Sequence, residues 1–268
     1  MEEQNTQPVV LTVAGFDPSG GAGVLADIKT FAAFECYGVA AITSLTFQNT
    51  EGVRGALHQS ADTVRQQLAA ITDDFKISAI KTGMLPTRDV IREVVSTIKT
   101  NSIAPVVVDP VLTSTSGFNL VDEEIIETFM SELLPLTTLV TPNIKEAERL
   151  SGVKFRDTND LKKAGELILQ TGCQAVLITG GDVESWSAKD LLVMSGGSVD
   201  FSRIRVQSRH THGTGCTLSA ASACLLGRGY SLIDAVARAK DYIVRAIATA
   251  PGLGHGHGPL NHFPPEKI

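Results

Sequence analysis

Two glycine-rich segments carry backbone groups that could bind an anion. Gly15–Gly23 follows an apolar run and leads into a helical pattern, and His210–Thr217 opens a second helical pattern. Glycine lets a ligand come close to the backbone, and the free amides and dipole of a helix N-terminus attract negative charge. The second segment therefore predicts an anion site. For the first, position alone leaves a tight connector without ligand as an equally good interpretation.

A cysteine lies inside the second segment. Cys216 falls in the first predicted helical turn, where the pKa of a thiol can drop from about 8.5 into the neutral range. Such a thiolate could accept a proton from an alcohol. The alternative is a buried structural cysteine, which describes most free cysteines.

Acidic and amide side chains follow two predicted strands. Asp109 ends the run Val106–Asp109, Asn143 follows the next run, and Glu146 lies one helical turn further on. Hard oxygen ligands at adjacent strand ends suit Mg²⁺ with phosphates and water. Taken singly, each residue is better interpreted as a helix cap or a solvated side chain, and only their combination at strand ends favours a metal site.

Other chemistries are poorly supported. The sequence has no GxxxxGK[ST] loop, no GxGxxG after an early strand and no GxSxG elbow. A cysteine hydrolase that pairs Cys216 with His210 or His212 lacks a recognisable third partner. A metal site is disfavoured for the loop histidines because their spacing is weak and no triad accompanies them, and we interpret these as ordinary loop residues: His210, His212, His255, His257 and His262.

The elements that must position these residues alternate between strand and helix patterns. Strands are predicted at Pro8–Ala14, Ala40–Thr46, Ala79–Thr82, Pro105–Asp109, Thr138–Thr141 and Ala175–Thr179. Helices are predicted at Gly23–Phe34, Ala61–Ile71, Arg88–Lys99, Asp122–Leu134, Ile144–Leu150, Asp160–Thr171, Gly215–Leu226 and Ser231–Thr249. A hairpin is predicted from Leu191–Met194 and Val199–Val206. This order favours an α/β fold with three layers, a mainly parallel central sheet and a small β element.

Composition bounds the class of protein. The 268 residues are 43% hydrophobic and 19% charged, which is enough for a large core and predicts a single domain over residues 1–268. Residues 1–7 are expected to be flexible. The net charge of −6 does not favour nucleic acid as a partner. No apolar run is long enough to span a bilayer, so a cytoplasmic protein with reduced thiols is expected.

Several motifs together resemble the ribokinase-like superfamily, and within it the hydroxymethylpyrimidine/phosphomethylpyrimidine kinases. The resemblance runs from about Val9 to Phe263, nearly the whole chain. It is carried by these segments: Ala14–Gly23, Ala26–Thr30, Gln48–Thr50, Gly83–Leu85, Val108–Val111, Thr141–Asn143, His212–Ala221 and Gly258–Phe263.

The resemblance implies a kinase that uses ATP and Mg²⁺ on a pyrimidine alcohol and then on its monophosphate, in thiamin biosynthesis. The pyrimidine would lie near Ala22, Gln48, Met84 and Val111, with Asp27 as a further substrate-side polar residue. The metal and triphosphate would be held by Asp109, Asn143 and Glu146, with Thr179 also on the nucleotide side. The phosphoryl group would meet the amides of Gly213, Thr214 and Gly215, and Cys216 would be the base or a hydrogen-bonding partner of the alcohol.

Two alternatives share this fold. One is a pyridoxal or pyridoxine kinase, which phosphorylates a similar alcohol. The other is a degenerate homologue that binds the pyrimidine without catalysis, because Thr179-Gly180-Gly181-Asp182 stands where the family often has Lys-Gly-Gly-His. The family likeness also implies a homodimer.

Overall fold

The computed structural model describes residues 7–112, 122–180 and 189–266. Within them, nine strands form one sheet. In chain order the strands are β1 Val9–Phe16, β2 Tyr37–Asn49, β3 Gly52–His58, β4 Ala79–Thr82, β5 Val106–Val108, β6 Leu139–Val140, β7 Ala175–Ile178, β8 Lys189–Met194 and β9 Gly197–Ser202.

Eight α-helices connect these strands across the described part of the chain. They are α1 Gly23–Ala33, α2 Ala61–Thr72, α3 Arg88–Thr100, α4 Glu123–Thr128, α5 Ile144–Ser151, α6 Thr158–Leu169, α7 Thr214–Gly227 and α8 Leu232–Ala248. Side-chain caps fix several starts. Ser231, for example, accepts the amide of Asp234 at the start of α8.

The sheet order is β3-β2-β1-β4-β5-β6-β7-β8-β9. The six neighbouring strands β2, β1, β4, β5, β6 and β7 run parallel to one another. Successive side chains of a strand point to opposite faces, so the β1 residues Val10 and Leu11 enter different cores. Helices α2 to α6 cover one face, and α1, α7 and α8 cover the other. The predicted three-layer α/β architecture with a mainly parallel sheet is confirmed.

Three local predictions were wrong. Strand β3 was missed because Gly-Val-Arg-Gly-Ala-Leu-His lacks a clear apolar alternation. The predicted helix Asp122–Leu134 ends as an α-helix at Thr128 and continues as a π turn and a 3₁₀ turn. The second hairpin strand ends at Ser202, not at Val206, beyond which the chain leaves the sheet.

The remaining predictions concern the flexibility of the N-terminal residues and the number of domains. The flexibility expected for residues 1–7 falls almost wholly outside the described residues, and the single domain over residues 1–268 stays a prediction. No helix in the described ranges is both long and apolar enough to cross a membrane.

Candidate active site

The two glycine segments meet at the carboxyl edge of the sheet. β1 pairs with β2 on one side and with β4 on the other, so the strand order reverses beside it. In open α/β sheets a crevice for ligands forms at such a reversal. The first segment leaves β1 there and enters α1, and the second enters α7.

Asp17 organises the first segment. Its Oδ1 accepts the amide and hydroxyl of Ser19 at 2.8 and 2.7 Å, and its Oδ2 accepts the amide of Ala22 at 2.9 Å and faces His212 Nε2 at 2.8 Å. Burial alone would raise the pKa of Asp17, but the hydrogen bonds from His212 and Ser19 lower it to about 2. The loop is therefore built around an ionised carboxylate.

The second segment requires glycine at its turn. Gly213 caps α7 with φ of +82°, and a side chain there would overlap the carbonyl oxygen of Gly21. The amide of Thr214 donates to Thr211 O, so it is already used. The amides of Gly215 and Cys216 fall in the first turn of α7, where a helix has no carbonyl partner to offer them. The exposed Gly215 gives a ligand access to this turn.

A buried ion pair lies beneath both segments. Lys81 Nζ donates to both carboxylate oxygens of Asp27, at 3.0 and 2.9 Å, and Thr12 Oγ1 donates to the same carboxylate at 2.6 Å. The register pairs Thr12 with Lys81, which places both side chains on the face covered by α1. The fully buried Asp27, predicted to face the substrate, thus lies in this pair, and its contact with substrate stays a prediction.

Asp109 adds a second carboxylate to this group. Its Oδ2 lies 3.9 Å from Lys81 Nζ, and among the described residues this buried oxygen has no hydrogen-bond partner. The carboxylate also lies against Gly215, whose Cβ would be 3.8 Å from Oδ1. Burial raises the pKa of Asp109 despite the nearby ammonium of Lys81. The site therefore holds a buried carboxyl oxygen that has no hydrogen-bond partner within the described part of the chain.

Of the two interpretations left open for Cys216, the thiolate with a lowered pKa is not supported by its surroundings. Burial raises the pKa of Cys216 to about 12, with Asp109 and Asp27 adding to the rise. Lys81 and the backbone N–H of Gly23 act the other way but do not outweigh burial. The thiol is therefore protonated at neutral pH in this environment. The other cysteines are free and buried, as expected: Cys36, Cys173 and Cys224.

The predicted nucleotide-side residues lie at the next strand ends. Asn143 caps α5 and forms a capping box with Glu146, in which each side chain accepts the other's backbone amide. Thr179 follows β7 and forms a parallel bridge with Asn143. The fold thus brings these three residues together. Gly181 and Asp182 lie outside the described residues.

The predicted pyrimidine-side residues lie on both sides of β1, at the ends of β2, β4 and β5. Met84 lies against Gly15, with Sδ 3.5 Å from the position of a Cβ there, and its carbonyl accepts the hydroxyl of Thr43. Val111 donates its amide to Asp109 O, which fixes the turn after β5. Gln48 lies near the carboxyl end of β2. Their contact with a ligand stays a prediction.

The residues present fit a hard divalent cation in one respect. The buried, unpartnered oxygen of Asp109 is the type of ligand that Mg²⁺ prefers. Across residues 7–112, 122–180 and 189–266, however, no three His, Cys, Asp or Glu side chains cluster as a ready-made metal site. A metal here would need oxygen ligands from its substrate or from water.

Two functional candidates were missed by sequence reasoning. Lys81 sits inside a four-residue buried strand, and its partner Asp27 is 54 positions away. His212 was interpreted as an ordinary loop histidine, yet its ring meets Asp17 across 195 positions. A lysine inside a buried strand was the one available signal, because a buried cation needs a partner.

Comparison with known proteins identifies the family. A family profile described as phosphomethylpyrimidine kinase matches residues 17–261. A hydroxymethylpyrimidine/phosphomethylpyrimidine kinase of Streptomyces coelicolor is 41% identical over 257 residues, which cover 96% of this chain and 95% of that protein. A thiamine biosynthesis bifunctional protein of Geobacter sulfurreducens is 41% identical over 95% of this chain and 52% of its own length.

A solved structure gives the same answer for the fold. A Bacillus subtilis pyridoxal kinase, solved as an ADP complex, superposes with a TM-score of 0.88 and 36% identity, covering 96% of this chain and 98% of that chain. These matches confirm the ribokinase-like fold and the phosphotransferase class that the motifs indicated. The chain belongs to the phosphomethylpyrimidine kinase family.

Proposed function

We propose that the protein transfers the γ-phosphoryl group of ATP to the hydroxymethyl group of 4-amino-5-hydroxymethyl-2-methylpyrimidine, and then phosphorylates the monophosphate, in thiamin biosynthesis. The single observation that carries the proposal is the junction of the two glycine segments beside Asp109. It sets the open first turn of α7 next to a buried carboxyl oxygen that has no hydrogen-bond partner among the residues the structure describes. Phosphoryl transfer depends mainly on positioning and charge stabilisation, which such a junction can supply.

The roles proposed for the residues combine this geometry with the likeness to the family. The amides of Gly213, Gly215 and Cys216 would stabilise the migrating phosphoryl group, with Thr214 shaping the turn through its bonds to Thr211 O. The protonated thiol of Cys216 supports a hydrogen-bonding partner of the alcohol over a preformed thiolate base. Met84 and Val111 would supply apolar contacts, Gln48 would read the ring polar groups, and Ala22 would lie at the ring edge.

On the nucleotide side, Asp109 and Glu146 would hold Mg²⁺, and Asn143 and Thr179 would contact the triphosphate. When bound, Mg²⁺ would neutralise charge on the phosphates. Asp109 is the better supported of the two ligands because its Oδ2 has no hydrogen-bond partner in residues 7–112, 122–180 and 189–266, whereas one oxygen of Glu146 accepts the amide of Asn143.

A phosphotransfer assay tests the proposal directly. The pyrimidine alcohol, its monophosphate and pyridoxal are offered in parallel with ATP and Mg²⁺, and phosphorylated products are measured by mass spectrometry. We expect the highest kcat/KM on the pyrimidines. Higher turnover of pyridoxal would favour the second candidate, which the likeness to the pyridoxal kinase supports. Binding of the pyrimidine without any transfer would favour the degenerate homologue.

The glycine turn offers a matched test of the site. Gly213→Ala is expected to reduce turnover more than Cys216→Ser, since a Cβ at Gly213 would overlap Gly21 O. Gly229→Ala is the control, because Gly229 has a similar φ of +85° but open space around it. Turnover in Gly213→Ala as high as in the Gly229→Ala control would contradict this assignment.

We further propose a homodimer formed through the exposed face of β2 and β3. Leu45 pairs directly with Leu57 across these strands, and Phe47, two residues along, is 56% exposed. An apolar face of this kind marks an association surface. Light scattering should give a dimer for the wild type and a monomer for Phe47→Glu, and a monomeric wild type would refute the proposal.

The cytoplasmic location expected from the sequence stays a prediction.

A further inference from the structure

One side-chain contact joins the two glycine segments. His212 Nε2 lies 2.8 Å from Asp17 Oδ2, and both side chains are largely buried. The same Asp17 oxygen accepts the amide of Ala22, the predicted pyrimidine neighbour. His212 directly precedes Gly213, the first residue of the predicted phosphoryl site. The contact therefore links the acceptor side of the site to the donor side.

The packing around this contact leaves little slack. A side chain at Gly21 would overlap the ring of His212, so that ring lies directly against the Gly21 backbone. A side chain at Gly213 would overlap Gly21 O and approach Ala22 Cα to 3.2 Å. The two segments thus touch backbone to backbone, and the hydrogen bond fixes how they are aligned.

The backbone of His212 is held from a third direction. Its amide donates to Gly258 O, and residues 212 and 259 form a parallel bridge. The backbone that carries the imidazole is therefore fixed in place, and the ring can hold Asp17 in a defined position. Asp17 in turn holds Ser19 and Ala22 through the other bonds of its carboxylate.

We propose that His212 is a positioning residue that, through Asp17, aligns the acceptor alcohol with the phosphoryl site at the start of α7. This inference rests on the proposed function. Displacement of reacting groups by about 1 Å can reduce a rate roughly 100-fold. If the two segments slip, the alcohol loses its alignment, and water takes its place as the acceptor of the phosphoryl group.

Three variants separate the hydrogen bond from the bulk of the ring. His212→Phe keeps a ring but removes the donor, and His212→Gln keeps a donor near the position of Nε2. His255→Phe is the control because His255 is exposed in a loop outside the site. In each variant, ADP released and pyrimidine phosphate formed are measured in the same reaction with ATP and Mg²⁺.

We expect kcat on the pyrimidine alcohol to fall roughly 10- to 100-fold in His212→Phe. The ratio of ADP to phosphorylated product should rise severalfold in that variant and stay near one in His212→Gln and His255→Phe. A merely structural role would remove active molecules without changing this ratio. An unchanged ratio in His212→Phe, or equal uncoupling in His212→Gln, would overturn the inference.

A second measurement does not depend on catalysis. Hydrogen–deuterium exchange of peptides covering residues 15–25 and 209–217 should quicken in His212→Phe and match the wild type in His212→Gln. No change in either peptide would refute the alignment role, whatever the activity. Failure of the proposed function is distinguishable, because the wild type itself would then transfer no phosphate to the pyrimidine.

Discussion

Two buried lysine–aspartate pairs stand on the same side of the sheet, but their surroundings differ. Lys240 on α8 pairs with Asp190 on β8, with each side chain 7% exposed. Lys81 on β4 pairs with Asp27 on α1, with both side chains at 0%. Burial of a charge is costly in each case unless the charge is paired.

The pair at α8 supports a neighbouring loop. Lys240 Nζ donates to Asp190 Oδ2, and Asp190 Oδ1 accepts the amide of Gly180 at 3.1 Å. One carboxylate oxygen of Asp190 thus meets the ammonium, and the other accepts a backbone amide. The pair thus fastens α8 to β8 and holds the chain just after Thr179.

In the pair under α7, one lysine faces two carboxyl groups. Lys81 faces both Asp27 and Asp109, and the thiol of Cys216 lies in the same electrostatic environment. Burial alone would lower the pKa of Lys81, but the two carboxylates hold it above its usual value. Similar pairs can therefore serve different ends: Lys240 and Asp190 join two elements and a loop, whereas Lys81 also faces a second carboxyl group beside the start of α7.

The largest expected effect comes from removing the shared cation. Lys81→Met leaves Asp27 and Asp109 without their ammonium, which should lower the free energy of unfolding by about 3–5 kcal/mol. Urea denaturation measures this loss. The double variant Asp27→Asn/Lys81→Met removes one charge of each sign and should recover part of this loss. A loss below about 1 kcal/mol in the single variant would show that the pair is solvated in practice.

Replacing Lys240 should affect the stability of the protein and leave its catalysis nearly unchanged. Lys240→Met is expected to cost about 3 kcal/mol, at the lower end of the range for a broken buried pair, because both side chains keep some exposure. The kcat of the folded fraction should stay within about twofold of the wild type. A large fall in kcat with unchanged unfolding would reverse the distinction between the two pairs.

The side chain of Asp109 should matter for activity and not for folding. Asp109→Asn is expected to lower phosphotransfer about 100-fold, since charge stabilisation at a reacting centre is lost. Its free energy of unfolding should equal or exceed that of the wild type, because an incompletely paired buried carboxylate is removed. Parallel measurement of kcat/KM and urea denaturation checks both parts. A clear loss of stability would mean that Asp109 is structural.

The sequence showed most of the frame and part of the site. Buried parallel strands reveal themselves by continuous apolar runs such as Val106–Val108, and the loops between them carry glycines that mark close approaches. The missed strand β3 is an edge strand, where one side of the ladder is open and the residue pattern is weakly constrained.

Side-chain partners across the fold could not be predicted in the same way. Thr12, Asp27 and Lys81 meet only once strand register and helix placement are known. The thiol of Cys216 illustrates the same limit, since its helix N-terminal position was visible in the sequence but the surrounding carboxylates and burial were not.

The smallest expected effect concerns that thiol. Cys216→Ser should keep turnover within about 10-fold of the wild type, less than the loss of a general base would cause.

The pKa of Cys216 is raised from 9.0 to about 12, so its contribution to stability is present in full below pH 9 and is lost as the pH rises towards 12. Urea denaturation with EDTA present should therefore show a flatter alkaline decline in Cys216→Ser. An identical decline in both proteins would contradict the raised pKa.

The contact of His212 with both Asp17 and Gly258 O has a consequence for synthesis. Asp17 emerges early from the ribosome, and its partners are made on the order of tens of seconds later. Until His212 has been made, the carboxylate of Asp17 lacks its imidazole partner, and α7, which carries the amides of Gly215 and Cys216, is also absent.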